Sequence, residues 1–161
     1  MEDSTMEVED IEALGPWTTH IETMDKALAA NDAGESIQAW RRAYSVALSH
    51  PSWLGLFTVA NASLRVGTLP SLARSAAALA RETYWIAFFR ARQQRSVIGV
   101  LRTGDAFAML GDCDAAERCA RVAKALESGD GDAAEIDPVR YIAHRSDQRD
   151  ASAEAEWNRL A

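Results

Sequence analysis

Apolar residues recur along this chain at intervals of three and four, the spacing that gathers side chains on one face of an α-helix. Ile21, Met24 and Leu28 form a first stripe. Ile37, Trp40, Tyr44 and Leu48 form a second, and Trp53, Phe57, Ala60 and Leu64 a third. The polar punctuation between stripes predicts the boundaries. Residues 1–17 read as an acidic, mobile leader closed by Gly15–Pro16. Thr19 with Glu22 has capping-box spacing, so a first helix is expected from there to about Asn31. Asp32–Gly34 predicts a turn and a second helix over 35–49, which His50–Pro51 stops because proline disfavours helical geometry in the residue before it. Ser52 can cap a third helix ending near Gly67. Pro70 sits early in a long fourth helix, about 70–93, where its missing amide proton costs nothing. Ser96 opens a fifth, carrying Ile98, Leu101 and Phe107 and ending at Leu110–Gly111; Asp114 and Glu117 repeat the capping-box spacing for a sixth, to about Ser128. Residues 129–135, GDGDAAE, read as a linker. Short helices near Asp137–Pro138 and over 150–160, the latter with Trp157, are expected to cap the last pair.

Composition agrees with six main helices. Alanine, the best helix former, supplies 31 of the 161 residues, against only four prolines and nine glycines. The fold class expected is all-α, in one domain large enough to bury a core. No apolar run approaches the ~18–20 residues that cross a bilayer, and the acidic start lacks the basic and apolar regions of a signal peptide, so a cytoplasmic protein without membrane contact is expected. Cys113 and Cys119 stand six apart in one predicted helix, on different faces, and are expected to be free thiols. The net charge of −7 is unevenly spread: residues 1–36 hold ten acids and one lysine, residues 37–111 nine arginines and two acids, and residues 112–161 twelve acids and seven bases. Such a basic middle either meets an acidic partner or is covered by the acidic ends.

The six helices group as three hairpins, 18–49, 52–93 and 96–128. Small residues recur in the second member of each: Ala39, Ala43 and Val46; Ala73, Ala77 and Ala80; Ala116, Ala120 and Ala123. Two antiparallel helices nest closely when one offers small residues at the contact. This pattern resembles a tetratricopeptide repeat, whose period is about 34 residues. Ala39 and Ala73 are one such period apart, and Pro51 stands where that repeat ends in proline. Gly104, Phe107, Ala116 and Ala123 of the third hairpin match its small and aromatic sites. The departures are an overlong fourth helix, and Ala27 and Ala30 where a small and a large residue are usual. The resemblance implies a short right-handed α-solenoid whose first helices line a groove for a peptide or helix. It carries Thr58, Arg65, Ile98, Leu101, Asp105 and Met109 to that groove. The family's carboxylate clamp is not expected, because Asn61 and Arg65 alone do not reproduce it.

The fourth helix ends in ETYWIAFFRARQQR, clustering Tyr84, Trp85, Phe88 and Phe89 with Arg90, Arg92 and Arg95. Two uses compete. Trp85 and Phe89 suit a core against the third hairpin, with the arginines solvated; aromatics beside arginines also suit a binding hot spot or a dimer contact. Candidate partner-binding residues are therefore Arg65, Trp85, Phe88, Phe89, Arg92, Arg95 and Asp105. Nucleic acid is a poor fit to a chain with a pI near 4.9. Enzyme chemistry has no support: His20, His50 and His144 fall in no triad or metal spacing, and Asp130 and Asp132 lack the calcium-loop pattern. The function expected is a cofactor-free protein–protein interaction module, an adaptor or chaperone-like protein. A homo-oligomeric scaffold and a helical enzyme or small-ligand protein are the alternatives.

Overall fold

A computed structural model of the chain describes residues 15–129. They form six α-helices and, among the described residues, no strand: α1 (Thr18–Ala29), α2 (Ala33–Ser49), α3 (Trp53–Val66), α4 (Ala73–Gln93), α5 (Val97–Met109) and α6 (Cys113–Ser128). Packing is heaviest between α1 and α2, between α3 and α4, and between α5 and α6. The pairs are joined through α2–α3 and α4–α5, and α1 touches α3 as α3 touches α5. The expected leader before Gly15 and the expected C-terminal caps lie outside the described residues. Trp17, assigned to the leader by its sequence position, is instead a core residue.

Three of the turns are built alike. Asn31, Arg95 and Gly111 take left-handed backbone (φ 57°, 54° and 78°). The next residue donates its amide five residues back: Asp32 to Ala27, Ser96 to Ala91 and Asp112 to Phe107, at 2.8–2.9 Å. This ends one helix, and the carbonyl of the same residue accepts the first amide of the next. Side chains then cap where they can. Asp32 Oδ1 accepts from the Glu35 amide, Ser52 Oγ from Leu54 and Ser96 Oγ from Gly99.

Two predicted capping boxes do not form. Thr19 lies inside α1, which starts one residue earlier after Trp17, with no side-chain cap. Asp114 lies in the first turn of α6, whose N-cap is Asp112; that carboxylate is held by Arg81 rather than by its own helix. Pro70 belongs to the connection between α3 and α4, and α4 begins three residues later.

The alanine trios are also in a different register from the one the period suggested. Ala39 and Ala43 are buried, but Ala73 and Ala120 are exposed. Ala73 occupies the first position of α4, beside the connection, and it is Ala76 that packs on Gly67. Aligning the matched turns at Asn31 and Gly111 pairs Ala39 with Cys119 and Ala43 with Ala123, all four buried. The separation of those turns, two hairpins apart, exceeds two periods of ~34 residues. The small residues do mark the helix contacts, but not at that interval.

Two apolar clusters meet at α3. Trp17, Ile21, Met24, Ile37, Trp40, Leu56, Val59 and Val66 belong to the first. Trp53, Tyr84, Trp85, Phe88, Val100, Phe107, Cys119 and Val122 belong to the second, with Phe57 packed against both. Two of their polar atoms tie helices together. Trp40 Nε1 donates to the Val59 carbonyl (2.9 Å), tying α2 to α3, and Tyr84 Oη to Asn61 Oδ1 (2.5 Å), tying α4 to α3.

The hairpins are keyed together by a repeated tryptophan–glycine contact. Trp17, at the head of α1, lies so close to Gly55 of α3 that a Cβ there would stand 2.6 Å from the ring. Trp53, at the head of α3, lies against Gly99 of α5 at 2.7 Å. Only glycine leaves room for the ring at either position.

Candidate docking face

The nine arginines of the middle segment divide by what their helix gives them to hold. Arg65 of α3 pairs Asp25 of α1 through two hydrogen bonds (2.9 and 3.1 Å), on the exposed side of the first helices. Arg42 meets Glu35 at 3.4 Å. Two arginines of α4 reach helix ends. Arg81 donates to Asp112 Oδ2 (2.6 Å) and to the Leu110 carbonyl (3.1 Å), closing the C-terminus of α5. Arg90 donates to the carbonyls of Ala47 (3.0 Å), Leu48 (2.6 Å) and His50, closing the C-terminus of α2, while Gln94 Nε2 donates to Pro51 (2.7 Å). A cation suits that position because the last carbonyls of a helix lack partners and carry the negative end of its dipole. The acidic flanks thus meet part of the basic middle within the chain, through Asp25, Glu35 and Asp112.

Burial sorts the predicted partner-binding residues. Trp85 and Phe88 are 3% and 0% exposed and offer no surface to a partner. Trp85 lies 4.7 Å from Phe107 and 5.4 Å from Phe88, between ring centroids, so the aromatic cluster is the seam between α4 and the last hairpin. Phe89 is half-buried at its edge, 6.0 Å from Trp85. Arg92 is half-buried and engaged within the chain. Arg95 is exposed in the α4–α5 turn and Asp105 is exposed on α5. Arg65 and Asp105 belong to the first helices, α3 and α5, and Trp85, Phe88, Phe89 and Arg92 to α4, where the two buried aromatics serve the core.

Leu48 of α2 is exposed at 37%, and the other large exposed apolar side chains of the described residues lie on α5. Ile98, Leu101 and Met109 are 62%, 42% and 89% exposed, and with Asp105 and Ala108 they form one stripe at helical spacing. Counting from the N-cap serines, Ile98, Arg102, Asp105 and Met109 take the places that Leu54, Thr58, Asn61 and Arg65 hold on α3. Asn61 there is tied to Tyr84 and Arg65 to Asp25, whereas on α5 Ile98, Asp105 and Met109 are exposed and Arg102 is half-buried and engaged within the chain.

Burial raises the pKa of Tyr84 to about 12, and that of Cys119 to about 12 against an opposing pull from Arg118. Tyr44 is also raised, by burial first and then by Glu82, with Arg90 opposing. These groups stay neutral in place. Both cysteines are free, Cys113 exposed and Cys119 buried. A recess of about 280 Å³ between the start of α1 and the end of α2 is lined by Pro16, Ser45, Val46, Ser49 and His50; it brings one imidazole and two hydroxyls together without a carboxylate. No group of three metal-ligating side chains converges among the described residues, and no helix of theirs is long and apolar enough to cross a membrane.

Sequence spacing missed the arginine caps, which link residues more than 25 positions apart. The tryptophan–glycine keys did leave a trace: Ser52-Trp-Leu-Gly55 recurs as Ser96-Val-Ile-Gly99, a capped helix start with glycine at its third position. No protein-family model, curated protein or solved structure matches this chain.

Proposed function

We propose that the protein is a protein–protein interaction module, an adaptor or chaperone-like array of stacked helical hairpins of the tetratricopeptide kind, and that it receives a partner helix or peptide on the exposed face of α5. The observation that carries this is the stripe of Ile98, Leu101 and Met109. Isolated surface leucines are ordinary, but three large apolar side chains on one helix face form the kind of patch that soluble proteins keep for interactions. The third hairpin also supports the family likeness. Gly104 stands where the repeat needs a small residue, and a Cβ there would meet Cys119 at 2.9 Å; Phe107, at the aromatic site, is fully buried. A cytoplasmic setting is part of the proposal, and two free cysteines suit a reducing compartment.

Helix-in-groove recognition uses apolar anchors at helical spacing, and a few desolvated anchors hold most of the energy. The test is recovery of partners from the native host with the wild-type chain and with Leu101→Asp/Met109→Asp. Both positions are exposed, so the variant is expected to fold normally by circular dichroism and to lose at least tenfold in recovery of a specific partner. Equal recovery by both proteins would remove the α5 face from the proposal.

A further inference from the structure

We propose that the occupant of the α5 face is a second copy of this chain, docked antiparallel across a two-fold axis that lies outside the exposed face of α5, level with the midpoint between Thr103 and Gly104. This rests on the docking role proposed for the stripe and names its partner. A two-fold interface must be complementary to itself, since each residue on one copy meets its mirror position on the other. The α5 face meets that condition. About this centre Ile98 is opposed by Met109 of the second copy, and Arg102 by Asp105. The order along the helix is apolar, cation, anion, apolar, so reversing the helix sets apolar on apolar at both ends and opposite charges in the middle.

Leu101 and Ala108 flank one side of the stripe. Because the axis runs perpendicular to both helices within the interface, the flanks of the two copies fall on the same side and extend the apolar contact. Asp105 and both end residues are exposed and available. Arg102 is half-buried and already takes part in another interaction of the chain, but a guanidinium has five N–H donors and can take a carboxylate as well. Parallel pairing would set the apolar ends on apolar ends too, but it would also align Arg102 with Arg102 and Asp105 with Asp105, which disfavours it.

The contact is small. Thirteen residues of α5 extend about 20 Å. One helix pair of that length falls at or below the low end of specific interfaces, so the dissociation constant is expected on the order of 10 µM. The dimer would then form and part with concentration, and any partner bound at the same stripe would compete with it.

Sedimentation equilibrium of the full chain from about 5 to about 500 µM reads this directly, bracketing the expected constant. The wild type is expected to shift from monomer to dimer across that range. Asp105→Arg, which sets arginine against Arg102 of the other copy, is expected to weaken the dimer at least tenfold. Ile98→Lys and Met109→Glu alter two exposed positions and do not threaten the fold. Each alone is expected to weaken association, and the double variant to recover most of it, because the introduced lysine and glutamate oppose each other only in the antiparallel pairing. A wild type that stays monomeric throughout overturns the dimer, as does a dimer that none of these substitutions affects. If the monomeric chain still recovers a host partner through Leu101 and Met109, the docking role stands and only its occupant was wrong. If it does not, both fall.

Discussion

Replacing Gly99 by alanine tests how closely the second and third hairpins are keyed. In an ordinary helix the change is favourable by about 1 kcal/mol, the propensity difference between the two residues. Here the added methyl would stand 2.7 and 2.8 Å from ring atoms of Trp53 and 2.8 Å from the Cβ of Ala91. Comfortable carbon–carbon contact is about 3.5–4.0 Å, so three contacts are each short by roughly 1 Å. Neither neighbour yields easily. Ala91 has no side chain to rotate, so α4 itself must move, and Trp53 is buried between α3 and α5. Overpacking of this kind costs about 1–3 kcal/mol beyond any local gain. We expect Gly99→Ala to lose about 1–2 kcal/mol net, or roughly 3–8 °C in melting temperature. The assay is urea unfolding followed by far-ultraviolet circular dichroism, for the single variant, Trp53→Leu and the pair. The smaller side chain at 53 frees the ring side of the clash, so the pair is expected to be at least about 1 kcal/mol more stable than additivity allows. A Gly99→Ala protein more stable than wild type, with no coupling to position 53, would refute the close approach of α3 and α5 at this point.

Arg90→Ala removes three charge-assisted bonds to the last carbonyls of α2 and is expected to cost about 2 kcal/mol in the same urea assay, whereas a solvated arginine would change stability by less than ~0.5 kcal/mol. Arg95→Gly relieves left-handed backbone at φ 54° and is expected to raise stability by about 0.5–1 kcal/mol; a loss of stability would mean the side chain is held in place. Burial raises the folded-state pKa of Tyr84 to about 12, so the folded protein keeps a proton that the unfolded chain releases near 10. Stability is therefore expected to be whole below about pH 10 and to fall from there towards pH 12, with the 295 nm titration of Tyr84 trailing that of an exposed tyrosine; an ordinary titration would contradict its burial.

Local pattern was enough to locate the helices, because their boundaries rest on residues whose chemistry acts over three or four positions. Ser52 and Ser96 cap as their spacing suggests, and Pro51 and Gly111 mark turns. The capping boxes failed because each helix starts before its expected cap: α6 follows Asp112, whose carboxylate Arg81 takes, and α1 follows Trp17, which packs in the core. The alanine register slipped because alanine is both a packing residue and a generic helix former, so Ala73 and Ala120 fit the spacing while facing solvent. Aromatic richness left two uses open, a core and a partner contact, and burial decides for the core at Trp85 and Phe88. Trp85 and Phe88 look like anchors for a partner, but the chain's own Phe107 already fills that role. The resemblance to the repeat family singled out Ile98, Leu101, Asp105 and Met109, and all four are exposed; that Asn61 and Arg65, at the matching places on α3, are tied to Tyr84 and Asp25 is a long-range fact no local pattern reveals.

The docking claim is tested most directly by placing a photo-crosslinking amino acid at Met109, and in a second protein at Ala120 on α6, both exposed positions. After irradiation in host extract or with the purified chain at high concentration, position 109 is expected to give one discrete adduct, either with a second copy or with a single partner, and position 120 none. Adducts from position 120 alone, or the same adducts from both, would contradict an interaction face on α5.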